Sequence, residues 1–283
     1  NMTRILAVLL PGGAEVSFEN PFFVQAMKGI SMYSQKEDYY IMYAFNENKK
    51  DDEEWIKKLT EGNLVDGVCL FNVKDNDITI NYLKEKEFPF VVIGRPDEIE
   101  GVLWVDNDNF AAMYNLTQNM VDLDNKKVAF IGAKPEMNVS KDRLNGYKQA
   151  LFSRNIEIDN ELIIEMDDFS EKNGYLAAKK ILEKNKVSAF VTTDDLLAFG
   201  VQRAIKDLGY EDISIVGFNN IPLTQYKNPS LSSVDINSEK LGMYATKLLI
   251  DKLENRESKG YYVIETKLVE RESLIKKENA SLV

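Results

Sequence analysis

The chain has 283 residues, a formal net charge of -11, 44% hydrophobic residues, one cysteine and no histidine. That length makes two lobes the natural expectation, and the acidic balance argues against this chain gripping nucleic acid or an anionic membrane surface, since both need clustered Lys and Arg. Without histidine there is no Ser-His or Cys-His catalysis and no imidazole zinc site, and the single Cys69 leaves no internal disulfide, which fits a reducing compartment.

No apolar run reaches membrane-spanning length, and no basic-then-apolar segment opens the chain. The chain begins Asn1-Met2, with Met second, so natural amino-terminal residues are expected to be missing. The apolar run over 4–10 reads as a strand buried on both faces and is ended by Pro11-Gly12-Gly13. A helix follows, with Asn20 as N-cap, Pro21 at the first position and Phe23, Ala26, Met27, Ile30 and Tyr33 on one face. Strands over 39–44, 65–71 and 88–93 alternate with helices marked by Trp55, Ile56 and Leu59, then by Ile80 and Leu83. The apolar stretch from Gly101 to Val105 ends in Asp106-Asn107-Asp108-Asn109 and leads into a helix over 108–121; Asp106 is expected at the crossing between the lobes, facing a cleft.

The same plan then repeats, with strands over 127–132, 162–165, 189–192 and 214–218. Helices run over 142–152, then along the faces Tyr175, Ala178, Ile181, Leu182 and Leu197, Val201, Ala204, Ile205, Leu208. A short connecting strand over 231–234, a long helix carrying Leu241, Ala245, Leu248, Leu249 and Leu253, and extended chain over 261–269 complete it, with a polar, frayed tail. Short strands separated by helices mean an α/β fold with parallel sheets and right-handed crossovers.

Ligands of such sheets bind beyond the carboxyl ends of the strands. Those ends carry Asn20-Pro21-Phe22-Phe23, Phe71-Asn72, Gly94-Arg95-Pro96, Asp106-Asn107, Ser140 with Arg143, Asp167-Asp168-Phe169, Thr193-Asp194-Asp195 and Asn219-Asn220. Carboxylates and amides pair with neighbouring hydroxyls, and Arg offers a rigid fork of donors, so the set suits a sugar with Phe22 or Phe169 against its C–H face. Each residue alone also reads as an ordinary cap or turn former. Asp195 is the one expected to be structural, and Asn107 and Asp108 could simply start a helix. Arg143 is expected in a first helical turn, where a cation opposes the dipole and wants another reason to be present. Gly12-Gly13 lacks the Lys-Ser or Lys-Thr of a phosphate loop. The adjacent pairs Asp167-Asp168 and Asp194-Asp195 point to opposite sides of an extended chain, which disfavours a hydrolase couple or a metal site.

An ordered set of motifs goes further: Asn20-Pro21-Phe22-Phe23, Val65-Asp66-Gly67-Val68, Val105-Asp106-Asn107-Asp108, Asp142-Arg143-Leu144-Asn145-Gly146-Tyr147, Phe169-Ser170-Glu171-Lys172-Asn173-Gly174-Tyr175, Asp194-Asp195-Leu196-Leu197-Ala198-Phe199-Gly200, Ser214-Ile215-Val216-Gly217-Phe218-Asn219-Asn220 and Val269-Glu270-Arg271-Glu272-Ser273. Together, from about Arg4 to Leu274, they resemble the effector-binding domain of LacI/GalR-family transcriptional regulators. The loop from Ala14-Glu15 to Phe22, the run Val105 to Asn109 and Ser233-Val234-Asp235-Ile236-Asn237 look like the maltose-operon-repressor branch.

The resemblance implies a type I periplasmic-binding-protein-like fold, two Rossmann-like lobes joined by three crossovers near Asp106, Asp235-Ile236 and Thr266. The amino-terminal lobe would be 1–105 plus 236–266 and the carboxy-terminal lobe 106–235 plus 267–283. It implies effector contacts at Phe22, Asp106, Arg143, Phe169, Asp194 and Asn219, with Phe71 and Asn72 close to another. It further implies a cytoplasmic homodimeric repressor that is not an enzyme, needs no cofactor or metal, and senses maltose or another α-glucoside. Operator DNA would be held by a helix-turn-helix headpiece that this stretch of sequence does not include. Many members carry Asn-Asp where this chain has Asp194-Asp195, and Asp-Asp where it has Asn219-Asn220, so donors and acceptors are exchanged. The rival is a sugar-binding protein of an ABC transporter; the tail Val269 to Ser273 favours the regulator.

Overall fold

A computed structural model describes residues 2–10, 18–46, 52–71, 74 and 76–276. In chain order the first elements are β1 (Ile5–Leu10), α1 (Pro21–Lys36), β2 (Tyr40–Phe45), α2 (Asp52–Thr60), β3 (Gly67–Phe71), α3 (Ile78–Glu85), β4 (Phe90–Ile93) and β5 (Leu103–Asp106). There follow α4 (Asn109–Asp122), β6 (Val128–Ala133), α5 (Asn138–Ser153), β7 (Ile163–Met166), α6 (Glu171–Lys184), β8 (Ala189–Thr192), α7 (Asp195–Asp207) and β9 (Ser214–Asn219). The last are β10 (Ser232–Asp235), α8 (Ser238–Leu253), β11 (Tyr261–Val263) and β12 (Lys267–Val269). No helix among the described residues is long and apolar enough to cross a membrane.

The chain divides into two compact units. The first holds Asn1–Asn107, Met137–Val139 and Asn237–Glu265; the second holds Asp108–Glu136, Ser140–Ile236 and Thr266–Val283. In the first, a six-stranded sheet runs β11-β5-β4-β3-β1-β2, with every pairing parallel. Five of the six residues of β1 are buried, as an apolar run covered on both faces requires. Val65 and Asp66 fall outside β3. The Asp66 carboxylate instead accepts hydrogen bonds from the backbone of Thr3 and Arg4 and from the Thr3 hydroxyl, which fixes the start of β1. One face of the sheet is filled by Leu9, Ile56, Val68, Leu70, Leu83 and Trp104.

The second unit has the order β12-β10-β9-β8-β6-β7. Its pairings are parallel except β12, which runs antiparallel to β10 because the chain returns to this sheet from the first unit. The extended chain expected over 261–269 is thus two strands in two sheets. The two units use the same device for helix packing. A Cβ on Gly29 of α1 would lie 1.9 Å from the Glu239 carbonyl oxygen of α8, and one on Gly200 of α7 would lie 2.0 Å from the Glu171 carbonyl oxygen of α6. Only glycine lets these backbones come so close.

Asp195, the first residue of α7, ties that helix to the sheet. It is fully buried, and its carboxyl accepts from the Ile221 backbone N–H at 2.8 Å and the Ser233 hydroxyl at 2.6 Å. Burial pushes its pKa up to about 8, against the Ser233 and Ile221 hydrogen bonds, which lower it.

Two tests follow from this packing. Gly200→Ala forces α6 and α7 apart and is expected to cost about 1–3 kcal/mol of stability, read from urea unfolding midpoints. For Asp195 the folded pKa lies above the unfolded value of roughly 3.9, so the folded state holds a proton that the unfolded state lacks. Its stabilisation is complete below the unfolded value and drains away as pH rises through about 8. Asp195→Asn removes that titration; its melting temperature is expected to stop falling near pH 6, where the neighbouring Asp194 titrates. An unchanged profile would show that Asp195 does not hold this proton.

Candidate functional site

The carboxyl ends of β8 and β9 bring polar side chains together within the second unit. Arg143 projects from α5 and is buried. Its Nε donates to Asn109 Oδ1 at 3.1 Å, its Nη1 donates to the Thr193 carbonyl at 2.7 Å, and its guanidinium carbon lies 4.0 Å from the centroid of the Phe218 ring. The guanidinium plane is therefore fixed by two acceptors and an aromatic face. The helix begins at Asn138, so Arg143 stands in its second turn and not in the first. The expected helix started four residues late because Asn138 and Val139 carry no strong start signal. The dipole argument for Arg143 accordingly falls, and its contacts replace it.

Asp194 caps α7: its Oδ1 accepts from the Leu196 backbone N–H at 2.7 Å. Its Oδ2 accepts from Asn219 Nδ2 at 3.1 Å. Burial raises the carboxyl to about 6; hydrogen bonds from the α7 amides and the charge of Arg143 pull the other way, and the charge of Asp168 adds to the rise. Asn219 and Asn220 both adopt positive φ, 108° and 54°. Asn220 sits in the left-handed region that asparagine readily adopts, whereas Asn219 at 108° lies outside it and is strained, and such strain concentrates at functional sites. Asn220 holds the turn in place: its N–H donates to Ser233 Oγ, its Nδ2 to Asp235 Oδ2, and its Oδ1 accepts from Thr224. Thr193 Oγ1 is buried with no hydrogen-bond partner among the described residues.

Phe169 is half-buried against the core of the same unit, and its N–H donates to Asp168 Oδ1. Asn173 Nδ2 donates to Asp167 Oδ1 and to the Asp168 carbonyl, so this acidic pair shapes the turn before α6.

In the first unit, Phe22, Phe23 and Phe71 form an aromatic cluster. Phe22 lies 5.1 Å from Phe23 and 6.3 Å from Phe71, centroid to centroid, with Phe23 and Phe71 at 5.4 Å. Phe23 and Phe71 are buried, while Phe22 is half-buried and gives the cluster its accessible ring. Asp106 accepts from the Arg95 backbone N–H at 3.0 Å and from the Asn107 N–H at 2.8 Å. It thereby holds the turn that follows β4. Asn107 Nδ2 donates to the Ile264 carbonyl. Asn72 lies outside the described residues. Cys69 is buried and its thiol is pushed up to about 12 by desolvation, so it is chemically quiet.

The structure thus gathers Arg143, Asp194 and Asn219 in one cluster of the second unit, and Phe22 with Phe71 in the first. Two participants, Asn109 and Phe218, were not proposed as contacts, and Thr193 was named only as a neighbour of Asp194. Asn109 reads as a routine helix start behind its Asp108 cap, Phe218 as an inward strand residue, and Thr193 as the end of a strand. Only the fold shows that all three meet Arg143.

This arrangement has relatives. Residues 117–274 match the periplasmic binding protein-like domain family. The HTH-type transcriptional regulator MalR of Streptococcus pneumoniae is 30% identical over 95% of this chain and 82% of its own length. A solved transcriptional regulator described as LacI, from Bacillus cereus subsp. cytotoxis, superposes with a TM-score of 0.93 at 34% identity, covering 98% of this chain and all of the other. A complex of the transcriptional regulator CelR with cellobiose superposes with a TM-score of 0.88 at 25% identity, over 96% of this chain and 85% of that one. A structure described as the maltose operon transcriptional repressor of Staphylococcus aureus gives 0.86 at 26%, over 96% and 98%. With two mostly parallel α/β sheets, polar clusters at the strand ends and similarity along nearly its whole length, this chain belongs to the LacI family of transcriptional regulators.

Proposed function

We propose that this chain is a sugar-sensing domain of a transcriptional repressor, with maltose or another α-glucoside as its effector. The observation that carries the reading is the seating of Arg143 against Asn109, Thr193 and Phe218 beside the Asp194–Asn219 pair. A cation, a carboxylate and an amide held rigidly at strand ends form a mixed set of donors and acceptors, which neighbouring sugar hydroxyls match. The cellobiose bound by CelR and the maltose operon named for the Staphylococcus relative support a glucose disaccharide.

In this reading Arg143 donates to sugar oxygens, Asp194 accepts, and Asn219 does both. Phe22 and Phe169 pack on C–H faces, with Phe71, Asn72 and Asp106 as further contacts. The protein acts as a cytoplasmic homodimer and grips operator DNA through an amino-terminal helix-turn-helix segment. No bond is made or broken: the sugar acts only by binding one conformation better than another. Coupling of this kind is typically about 1–3 kcal/mol.

Calorimetric titration with maltose, cellobiose, trehalose and ribose is the direct test; saturable heat with an α-glucoside is expected, and flat traces across the panel would remove the sugar hypothesis. Arg143→Met keeps the apolar stem over Phe218 but deletes the donors. It is expected to weaken binding by about 2–4 kcal/mol, since a hydrogen bond to a charged group contributes roughly 1.5–3, while the protein still melts cooperatively. Affinity should also fall as pH drops through about 6, where Asp194 gains a proton and loses acceptor capacity. Asp194→Asn should flatten that dependence.

A further inference from the structure

A cavity lies wholly within the first unit, at the amino ends of β4, β5 and β11, the opposite end of that sheet from Asp106. Its volume is about 590 Å³, inside the range of roughly 300–1,000 Å³ usual for small-molecule sites. Its wall is the exposed ring of Tyr261, which lies nearly parallel on the buried ring of Trp104, with centroids 5.1 Å apart and planes 10° from parallel. Phe88 is half-buried on the lining with Phe90 buried behind it, and Ile99 is an exposed aliphatic side chain there.

The polar side chains of the lining are not balanced. Lys84, Lys252 and Lys259 stand against the single carboxylate of Glu87 in a chain that is otherwise strongly acidic. Lys84 and Lys252 occupy the last turns of α3 and α8, where a cation also offsets the helix-end carbonyls. Lys259 is on a loop, and no helix end accounts for it. Its ammonium lies 6.0 Å from the centroid of the Tyr261 ring on the wall and 5.0 Å from that of Tyr262, which is not part of the lining. Gly101 and Gly260, also on the lining, have open space where a side chain would begin.

The geometry points to a binding site for a flat aromatic monoanion, its rings against Tyr261, which backs onto Trp104, and its carboxylate among the three lysines. Rings prefer offset stacking on such a wall, and a carboxylate complements the local excess of positive charge. The site is independent of the sugar cluster, so it stands or falls whether or not the proposed effector is correct.

The chain has two tryptophans, so Trp55→Phe leaves Trp104 as the sole indole reporter. Titration of that protein with 2-naphthoate should quench Trp104 saturably at one molecule per chain, with or without maltose. The neutral isostere 2-naphthylmethanol should bind about tenfold more weakly. Lys259→Glu and Lys252→Glu should each weaken naphthoate by up to about fivefold, the range of a partly exposed ion pair, without changing the weaker affinity of the alcohol. Equal binding of acid and alcohol, indifference to both charge reversals, or no saturable quenching would overturn the proposal. Unchanged melting temperatures of the lysine variants separate loss of the site from loss of the fold.

Discussion

Where the chain leaves the first unit after Asn107 and Glu265 and enters it at Asn237, the segments are laced together. The Ile264 N–H donates to the Asp106 carbonyl, Asn107 Nδ2 donates to the Ile264 carbonyl, and Asn237 Nδ2 donates to the Glu265 carbonyl. A protein that joins two sheets by several strands of chain cannot let each find its own path, because unpaired backbone groups at such crossings would go unsatisfied. Two asparagine side chains do that pairing here. Asp106 contributes from the same place: its carboxylate holds the turn after β4 while its carbonyl receives Ile264. A residue proposed to meet the sugar is therefore also part of the joint, which is the economy expected of a sensor whose ligand must bias one arrangement over another.

The second unit solves a different problem, that of keeping ionisable side chains inside a core. Arg143, Asp194 and Asp195 are all buried, yet each has its partners. Asp195 is satisfied by Ser233 and Ile221 and serves the fold. Asp194 shares its carboxylate between the amide of Leu196 and the side chain of Asn219. Arg143 rests on Phe218 and two oxygen acceptors. The adjacent aspartates thus divide their labour because neighbouring residues leave the chain in different directions: one toward the sheet, the other toward the strand ends.

Much of this was legible in the chain before any fold was drawn. The buried run of β1 and the alternation of strand and helix patterns follow from period and apolar content alone, and Pro21 with Asn20 marks the start of α1 through local capping chemistry. Less legible were features that depend on partners distant in sequence. Asn109 and Arg143 are separated by the rest of α4 and by β6, Thr193 lies a further fifty residues on, and nothing local in any of them announces the meeting. The start of α5 was misplaced for the same reason: the residues 137–139 belong with the first unit, whose contacts local propensity does not contain. The antiparallel β12 likewise reflects the route of the returning chain and not its composition.

The positive φ of Asn219 and Asn220 has an evolutionary consequence. Few side chains other than those of asparagine, aspartate and glycine settle in that backbone region without strain. The tip of β9 can therefore trade an amide for an acid, but it is closed to bulky newcomers. Preference among closely related guests would then drift by exchanging donors for acceptors at a fixed shape, leaving changes of size to more permissive positions.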